Sequence, residues 1–215
     1  MGEKILTPEE ILAKVRPTPM VESSLDSVQQ IEQIAEKFRE IMEILGLDLS
    51  NDSLRETPRR VAKMYVQEIF SGLKAANFPK ITVIDNDMGY DQMIVAKRVD
   101  IKSVCEHHFV VIDGWATIAY IPQKKVIGLS KLNRIAKFFS RRPQVQERLT
   151  KQIADCLEVV LESPHVAVQI EAKHYCLAAR GVEDFSSTTL TCDLRGAFKT
   201  SLETREEFLS HAVTT

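Results

Sequence analysis

Hydrophobic side chains recur at intervals of three and four from Val28 through Ile31, Ala35, Phe38, Met42 and Leu45, the spacing that gathers them on one face of a helix. Ser27 and Gln30 have capping-box spacing, and Gly46 stands where such a helix would stop. A second helix is predicted to open at Thr57-Pro58, with threonine as the cap and proline in the first turn, and to run through Val61, Met64, Tyr65 and Ile69 to Gly72. After Pro79 the period falls to two, first over residues 81–85 and then through Met93, Val95, Lys97, Val99, Ile101 and Ser103, which predicts strands. Residues 109–112 and 115–121 flank Asp113-Gly114, a dipeptide suited to a type I′ turn, so a hairpin is expected there. Two helices are predicted next. The first covers about residues 131–140 with Leu132, Ile135 and Phe139; the second runs from about Val145 through Leu149, Ile153, Cys156 and Val160. Strand patterns return over residues 166–176 and 188–194.

This order predicts three regions: an arm over residues 1–25 with at most a short helix, a helical portion over 26–78, and a sheet-bearing region over 79–215. Two helices followed by a strand pair, a helix pair and a second strand pair make an α+β arrangement. No internal repeat, low-complexity tract or long flexible linker interrupts it.

Composition narrows the functional classes. The 215 residues are 44% hydrophobic, enough for a substantial core, so no disulfide is needed to hold the fold. Twenty-eight basic residues nearly cancel 30 acidic ones for a net charge of −2, which argues against a nucleic-acid binder and leaves any anionic ligand to a local basic cluster. No apolar run approaches the roughly 20 residues of a membrane-spanning helix, and residues 1–19 lack the apolar stretch of a secretory signal. The expected compartment is the reducing cytoplasm, where Cys105, Cys156, Cys176 and Cys192 are thiols or metal ligands. Cys156 and Cys192, on apolar patterns, are expected to be small core residues, and His165 and His211 to be solvated.

Cys105-Glu106-His107-His108 places four polar side chains beside a strongly apolar segment, where a core would not tolerate them without partners. Zinc takes thiolate sulfur and imidazole nitrogen, and Cys-x-x-His brings both onto one ion if the backbone bends. The comparable pairing elsewhere is His174-Tyr175-Cys176, whose outer members share a face if the strand continues. Cys105, His108 and Cys176 would leave a fourth position open, as in catalytic sites; adding His107 or His174 would close it into a structural one. Spacing does not choose between them.

Ser130, Lys131 and Arg134 fall at the start of a predicted helix, where unpaired N–H groups and the helix dipole favour phosphate. Arg180 follows Cys176 by four residues, and Arg59-Arg60 could add a further contact. Glu147, after Gln146 in the first turn of a helix, is on its own a dipole partner.

Cys105-Glu106-His107-His108, Gly128-Leu129-Ser130-Lys131, the run from Arg141-Arg142-Pro143-Gln144 to Thr150, and His174-Tyr175-Cys176 with Arg180-Gly181 together resemble GTP cyclohydrolase I. The resemblance covers about residues 27–209, and Thr57-Pro58-Arg59-Arg60-Val61-Ala62 extends it into the helical portion. Val111 departs from a pattern that often has proline there, which bears on the hairpin more than on the chemistry. The resemblance implies a T-fold, an antiparallel four-stranded sheet with a helix pair on one face, assembled into a toroidal homodecamer with active sites between subunits. It also implies conversion of GTP and water to 7,8-dihydroneopterin triphosphate and formate, entering folate or pterin synthesis. Carried over by position, Cys105, His108 and Cys176 bind zinc, and His107 and His174 move protons. Glu147 with Gln146 grips guanine; Ser130, Lys131, Arg134 and Arg180 hold triphosphate and ribose, with Arg60 contributing from a neighbour. The rivals are a protein stapled by structural zinc and a T-fold enzyme acting on another purine or pterin.

Overall fold

The computed structural model describes residues 6–21 and 23–212. A short helix α1 (Pro8–Leu12) lies in the arm, opened by a capping box between Thr7 and Glu10. Helix α2 (Ser27–Ile44) is capped one residue earlier than the pattern predicts. The carboxylate of Asp26, a stronger acceptor than a serine hydroxyl, takes the N–H groups of Val28 and Gln29, and Gln29 Oε1 accepts from Asp26 N–H. Gly46, at φ +76°, ends the helix: its N–H donates to Glu43 O, and Leu47 N–H reaches back to Met42 O.

Helix α3 (Thr57–Lys63) has Thr57 as its first helical residue, not its cap, and does not run unbroken to Gly72. It widens into a π-turn over Met64–Ile69 and a 3₁₀ turn over Ser71–Leu73. Ile31, Ala62 and Val66 join α2 and α3 through a small core of their own. Gly72 docks this portion on the rest of the chain. Its N–H donates to Arg141 O at 2.9 Å, and a Cβ there would stand 2.1 Å from Phe138 O.

The main sheet contains β2 (Ile94–Cys105), β3 (Val111–Tyr120), β6 (Val166–His174) and β7 (Thr189–Leu194), antiparallel in the order β2-β3-β6-β7. A two-residue strand β5 (Pro143–Gln144) adds to the β2 edge in parallel, and β1 (Val83–Asp85) pairs separately with β4 (Lys125–Ile127). Helices α4 (Leu129–Ser140) and α5 (Gln146–Leu161) cover one face. Between them and the sheet lie Ile101, Ile112, Ile118, Leu132, Ile135, Phe139, Leu149, Ile153 and Leu157, all essentially inaccessible. Ala119 and Ala167 point to the opposite face, where Phe198 and Phe208 of the C-terminal helices α7 (Ala197–Thr200) and α8 (Leu202–Ala212) form a second cluster. The fold is α+β, with the antiparallel four-strand sheet and helix pair of a T-fold.

The hairpin expected at Asp113-Gly114 lies elsewhere. Strand β3 runs straight through these residues, pairing Asp113 with Lys102 and Lys173, and Gly114 with Ile101 and Ala172. The chain reverses at Glu106–His108 instead. Gly114 is needed for close packing: a Cβ there would sit 2.1 Å from Glu171 O and 2.5 Å from Ala172 Cα. Gly114→Ala is therefore expected to force β3 and β6 apart and to destabilise the protein by about 1–3 kcal/mol in urea unfolding. Wild-type stability would contradict this account of the strand.

Candidate metal centre and active site

Cys105 ends β2, buried beside β5, where it pairs with Gln144. The next residues turn back tightly: Phe109 N–H donates to Cys105 O and Cys105 N–H to Val110 O, both at 2.8 Å. This bend brings Cys105 and His108 to one place. Strand β6 ends at His174, and the chain coils into a short helix α6 (Tyr175–Ala178) that carries Cys176. His174 and Cys176 are thus brought near by a strand-to-helix junction, not by strand alternation.

One donor atom each from Cys105, His108 and Cys176 lies within 4.8 Å of the others. Burial, and then the neighbouring Cys105, push the Cys176 thiol up. Two sulfurs and an imidazole without a carboxylate are a donor set suited to zinc. The His107 ring lies 3.6 Å from Cys105 Sγ through Nδ1, and Arg180 Nη1 donates to His108 Nε2 at 2.8 Å.

His174 faces the buried start of α5. Its Nε2 lies 2.7 Å from Gln146 Oε1. Gln146 Nε2 donates to Ile170 O, Thr189 O and Thr191 Oγ1, so the amide oxygen is the end presented to the ring. His174 therefore carries hydrogen on Nε2 and leaves Nδ1 as an acceptor. Burial lowers its pKa against the opposing pull of the Glu147 charge, favouring neutral imidazole. The Gln146 side chain is 1% exposed and fully committed inward, whereas Glu147 is exposed. Of the two, only Glu147 presents its side chain to solvent, so the guanine grip implied for Gln146 is not supported by its side-chain position.

Ser130, Lys131 and Arg134 stand at the opposite end of α4 from this site. Ser130 and Arg134 are exposed and Lys131 half-buried. The C-terminal end of α4 leads into β5 beside Cys105, while Ser130 lies ten residues earlier, about 15 Å along a helix rising 1.5 Å per residue. Within one chain the structure brings together Cys105, His107, His108, Cys176, Arg180, His174 and Gln146, with Glu147 at hand. It does not bring the α4 cluster to them. Arg60 is exposed on α3.

Two supports of the turn escape motif reading. Glu106 is ion-paired with Arg148 of α5, a contact of sequence-distant residues that no local pattern announces. Phe109, at φ +54°, packs edge-on against Phe70 (5.2 Å) and Tyr65 (6.2 Å), which stack on each other. The irregular π-turn after α3 thereby touches the residue following the double histidine. Outside the site, Cys156 is a buried core residue. Two other expectations are corrected. Cys192 is exposed, its thiol donating to Gln169 Oε1 at 3.2 Å, because its strand position faces away from the helix pair. His165 is not merely solvated: Ala197 N–H donates to its Nδ1 at 3.0 Å. His211 is half-buried on α8.

Comparison with known proteins gives a concordant picture. The family model described as GTP cyclohydrolase I matches residues 34–213. The chain is 56% identical over 207 residues to GTP cyclohydrolase 1 of Pectobacterium carotovorum subsp. carotovorum (strain PC1), covering 96% of this chain and 94% of that protein. It is 55% identical over 210 residues to GTP cyclohydrolase 1 of Tolumonas auensis, covering 98% and 97%. Its similarity to GTP cyclohydrolase 1 of Aeromonas hydrophila subsp. hydrophila is 55% over 208 residues, covering 97% and 95%.

The left-handed backbone at position 109 gives an unusual expected order of stabilities. Phe109→Ala loses the ring contacts and keeps the backbone cost, whereas Phe109→Gly loses the same contacts but relieves that cost. The glycine variant should be more stable than the alanine variant by about 1 kcal/mol in chemical denaturation; the reverse order would refute the strained-turn account.

Proposed function

Because the chain belongs to the GTP cyclohydrolase I family and is an enzyme that hydrolyses GTP, we propose that its reaction opens the guanine ring at C8. Formate is released and the remainder recloses as 7,8-dihydroneopterin triphosphate, the first step of folate and pterin synthesis. The observation that carries this reading to particular residues is the convergence of Cys105 and His108, from one turn, with Cys176, from the helix after β6, with His107 and His174 adjoining them in the chain.

Cys105, His108 and Cys176 would hold zinc, and the ion when bound would supply the Lewis acidity that lets water act as a nucleophile near neutral pH. Glu147 accepts the N1–H and 2-amino hydrogens of guanine and so orients C8 toward the metal centre. His174, kept neutral by burial and held through Nε2–H by Gln146, has Nδ1 available to take up and return a proton. His107 is the second proton carrier, assisting protonation at N7 and the later ribose rearrangement. Gln146 acts on the substrate through His174, leaving the purine edge to Glu147. Arg180, already beside His108, neutralises phosphate or ribose oxygens close to the centre.

Ser130, Lys131 and Arg134, at the N-terminal end of α4, form the triphosphate cradle, joined by Arg60. Their separation from the thiols by most of a helix supports a cradle supplied by another copy of the chain. We assign the assembly as a toroidal homodecamer with shared sites. No helix among the described residues is long and apolar enough to cross a membrane, in keeping with a cytoplasmic setting.

Zinc-loaded protein incubated with GTP and then oxidised is expected to yield pterin fluorescence with equimolar formate. Cys176→Ser should lose metal and turnover together, and full activity from metal-free mutant protein would end the zinc assignment. Shared sites have a separate test. Mixed oligomers of Cys176→Ser and Lys131→Ala chains, each inactive alone, should regain activity because some sites receive both intact halves. If reassembled mixtures remain as inactive as the parents, each chain builds its site alone.

A further inference from the structure

Helix α5 and the segment before it carry polar side chains where an apolar core face is expected. Gln144 and Gln152 are completely buried, and Arg148 is largely so. Buried amides and guanidinium groups are costly unless every hydrogen-bonding group finds a partner, and here the partners form one connected path. Arg148 is paired with Glu106, inside the metal turn, and its Nε donates to Gln144 Oε1 at 3.2 Å. Gln144 Nε2 donates to Gln152 Oε1 at 2.7 Å and to Phe139 O at 2.9 Å. Gln152 Nε2 donates in turn to Arg16 O at 2.8 Å and Thr18 Oγ1 at 3.2 Å.

Residues 16–18 belong to the N-terminal arm, which neither the motifs nor the proposed mechanism employs. The arm is fastened independently. Ile11 and Val15 enter the main core, Arg16 N–H donates to Asp155 Oδ2 at 3.0 Å, and Thr18 Oγ1 accepts from the buried Arg142 at 3.0 Å. At the other end, Glu106 N–H donates to Gln144 O at 3.0 Å, so Gln144 holds the residue after Cys105 by main chain as well as through Arg148. Three side chains thus connect the arm to the bend that carries the ligands.

We propose that residues 16–18 of the arm position the metal turn through Gln152, Gln144 and Arg148. Without the Arg16 carbonyl and Thr18 hydroxyl, the Gln152 amide has buried donors without acceptors and must rotate. Rotation withdraws the acceptor that fixes Gln144, which frees Arg148 and Glu106 in turn. The arm thereby keeps Cys105 and His108 close enough together to share one ion, a role that rests on the zinc reading above.

The test uses the full-length zinc-loaded enzyme and follows zinc transfer to a colorimetric chelator at a temperature well below unfolding. Gln152→Leu, which cuts the path at its centre, should release zinc about tenfold faster, the lower end of the range for outer partners of metal ligands. Thr18→Val, at the half-buried outer end, should shift release in the same direction by a smaller factor and carries the test if the core variant does not fold. Phe208→Leu, in the separate cluster under α8, is the control: it should lower the thermal midpoint and leave zinc release unchanged. Wild-type release rates in folded Gln152→Leu and Thr18→Val, or equal acceleration in Phe208→Leu, would overturn the positioning role while leaving the zinc assignment intact. A wild-type chain that holds no zinc would overturn both.

Discussion

The register of β3 between its two neighbours is the constraint on which the site depends. Ile112 stands opposite Ser103 on one side and His174 on the other, so a single strand sets the position of the β2 end that carries Cys105 and of the β6 end that leads into the short helix with Cys176. A slip of one residue would turn every side chain to the other face. It would also separate two thiols that must meet within a few ångströms. Gly114 protects that register by letting β6 approach more closely than any side chain would permit. The residue that looks most like a turn former is therefore what lets β3 lie close against β6.

Around this frame, buried polar groups specify what apolar packing leaves undefined. The core under α4 and α5 would tolerate many hydrophobic combinations, since packing alone is forgiving of volume-conserving exchange. Gln146, Gln144 and Gln152 are not interchangeable in this way, because each amide has one orientation that satisfies all its bonds. One such amide fixes the tautomer of His174, and the other two connect to Glu106. Arg195 serves a comparable structural purpose near the sheet edge. Burial disfavours its charge, but bonds to Asp193, Asp155 and Glu158 outweigh that cost and raise its pKa. Asp155 also anchors the arm, so the same helix serves core, site and arm.

The amphipathic patterns of α2, α4, α5 and the long strands were legible because burial on one face imposes a period on the chain. The metal motif was legible for a related reason: soft donors at short spacing are rare beside apolar strands and have few uses. The capping of α2 was displaced by one residue because Asp26 competes with Ser27 for the same N–H groups. The break after α3 was hidden because a π-turn leaves the apolar spacing nearly intact while shifting the backbone. Asp113-Gly114 misled because a glycine required by close strand contact is identical, as a letter, to one required by a turn.

By itself the sequence determined the α+β order, the helix pair, the principal strands and the family resemblance carried by the Cys-Glu-His-His and His-Tyr-Cys motifs. These follow from local periodicity and from side-chain chemistry that survives without coordinates. Only the tertiary structure decided where the hairpin turns, that Gln146 faces His174, that Arg148 meets Glu106, and that the arm reaches α5. It also decided that the α4 basic cluster lies at the far end of that helix from the β5 segment that pairs with Cys105. The Gln146–His174, Arg148–Glu106 and arm–α5 contacts join residues distant in sequence, fixed by strand register and helix docking, and nothing in the residues near either partner encodes the distance between them.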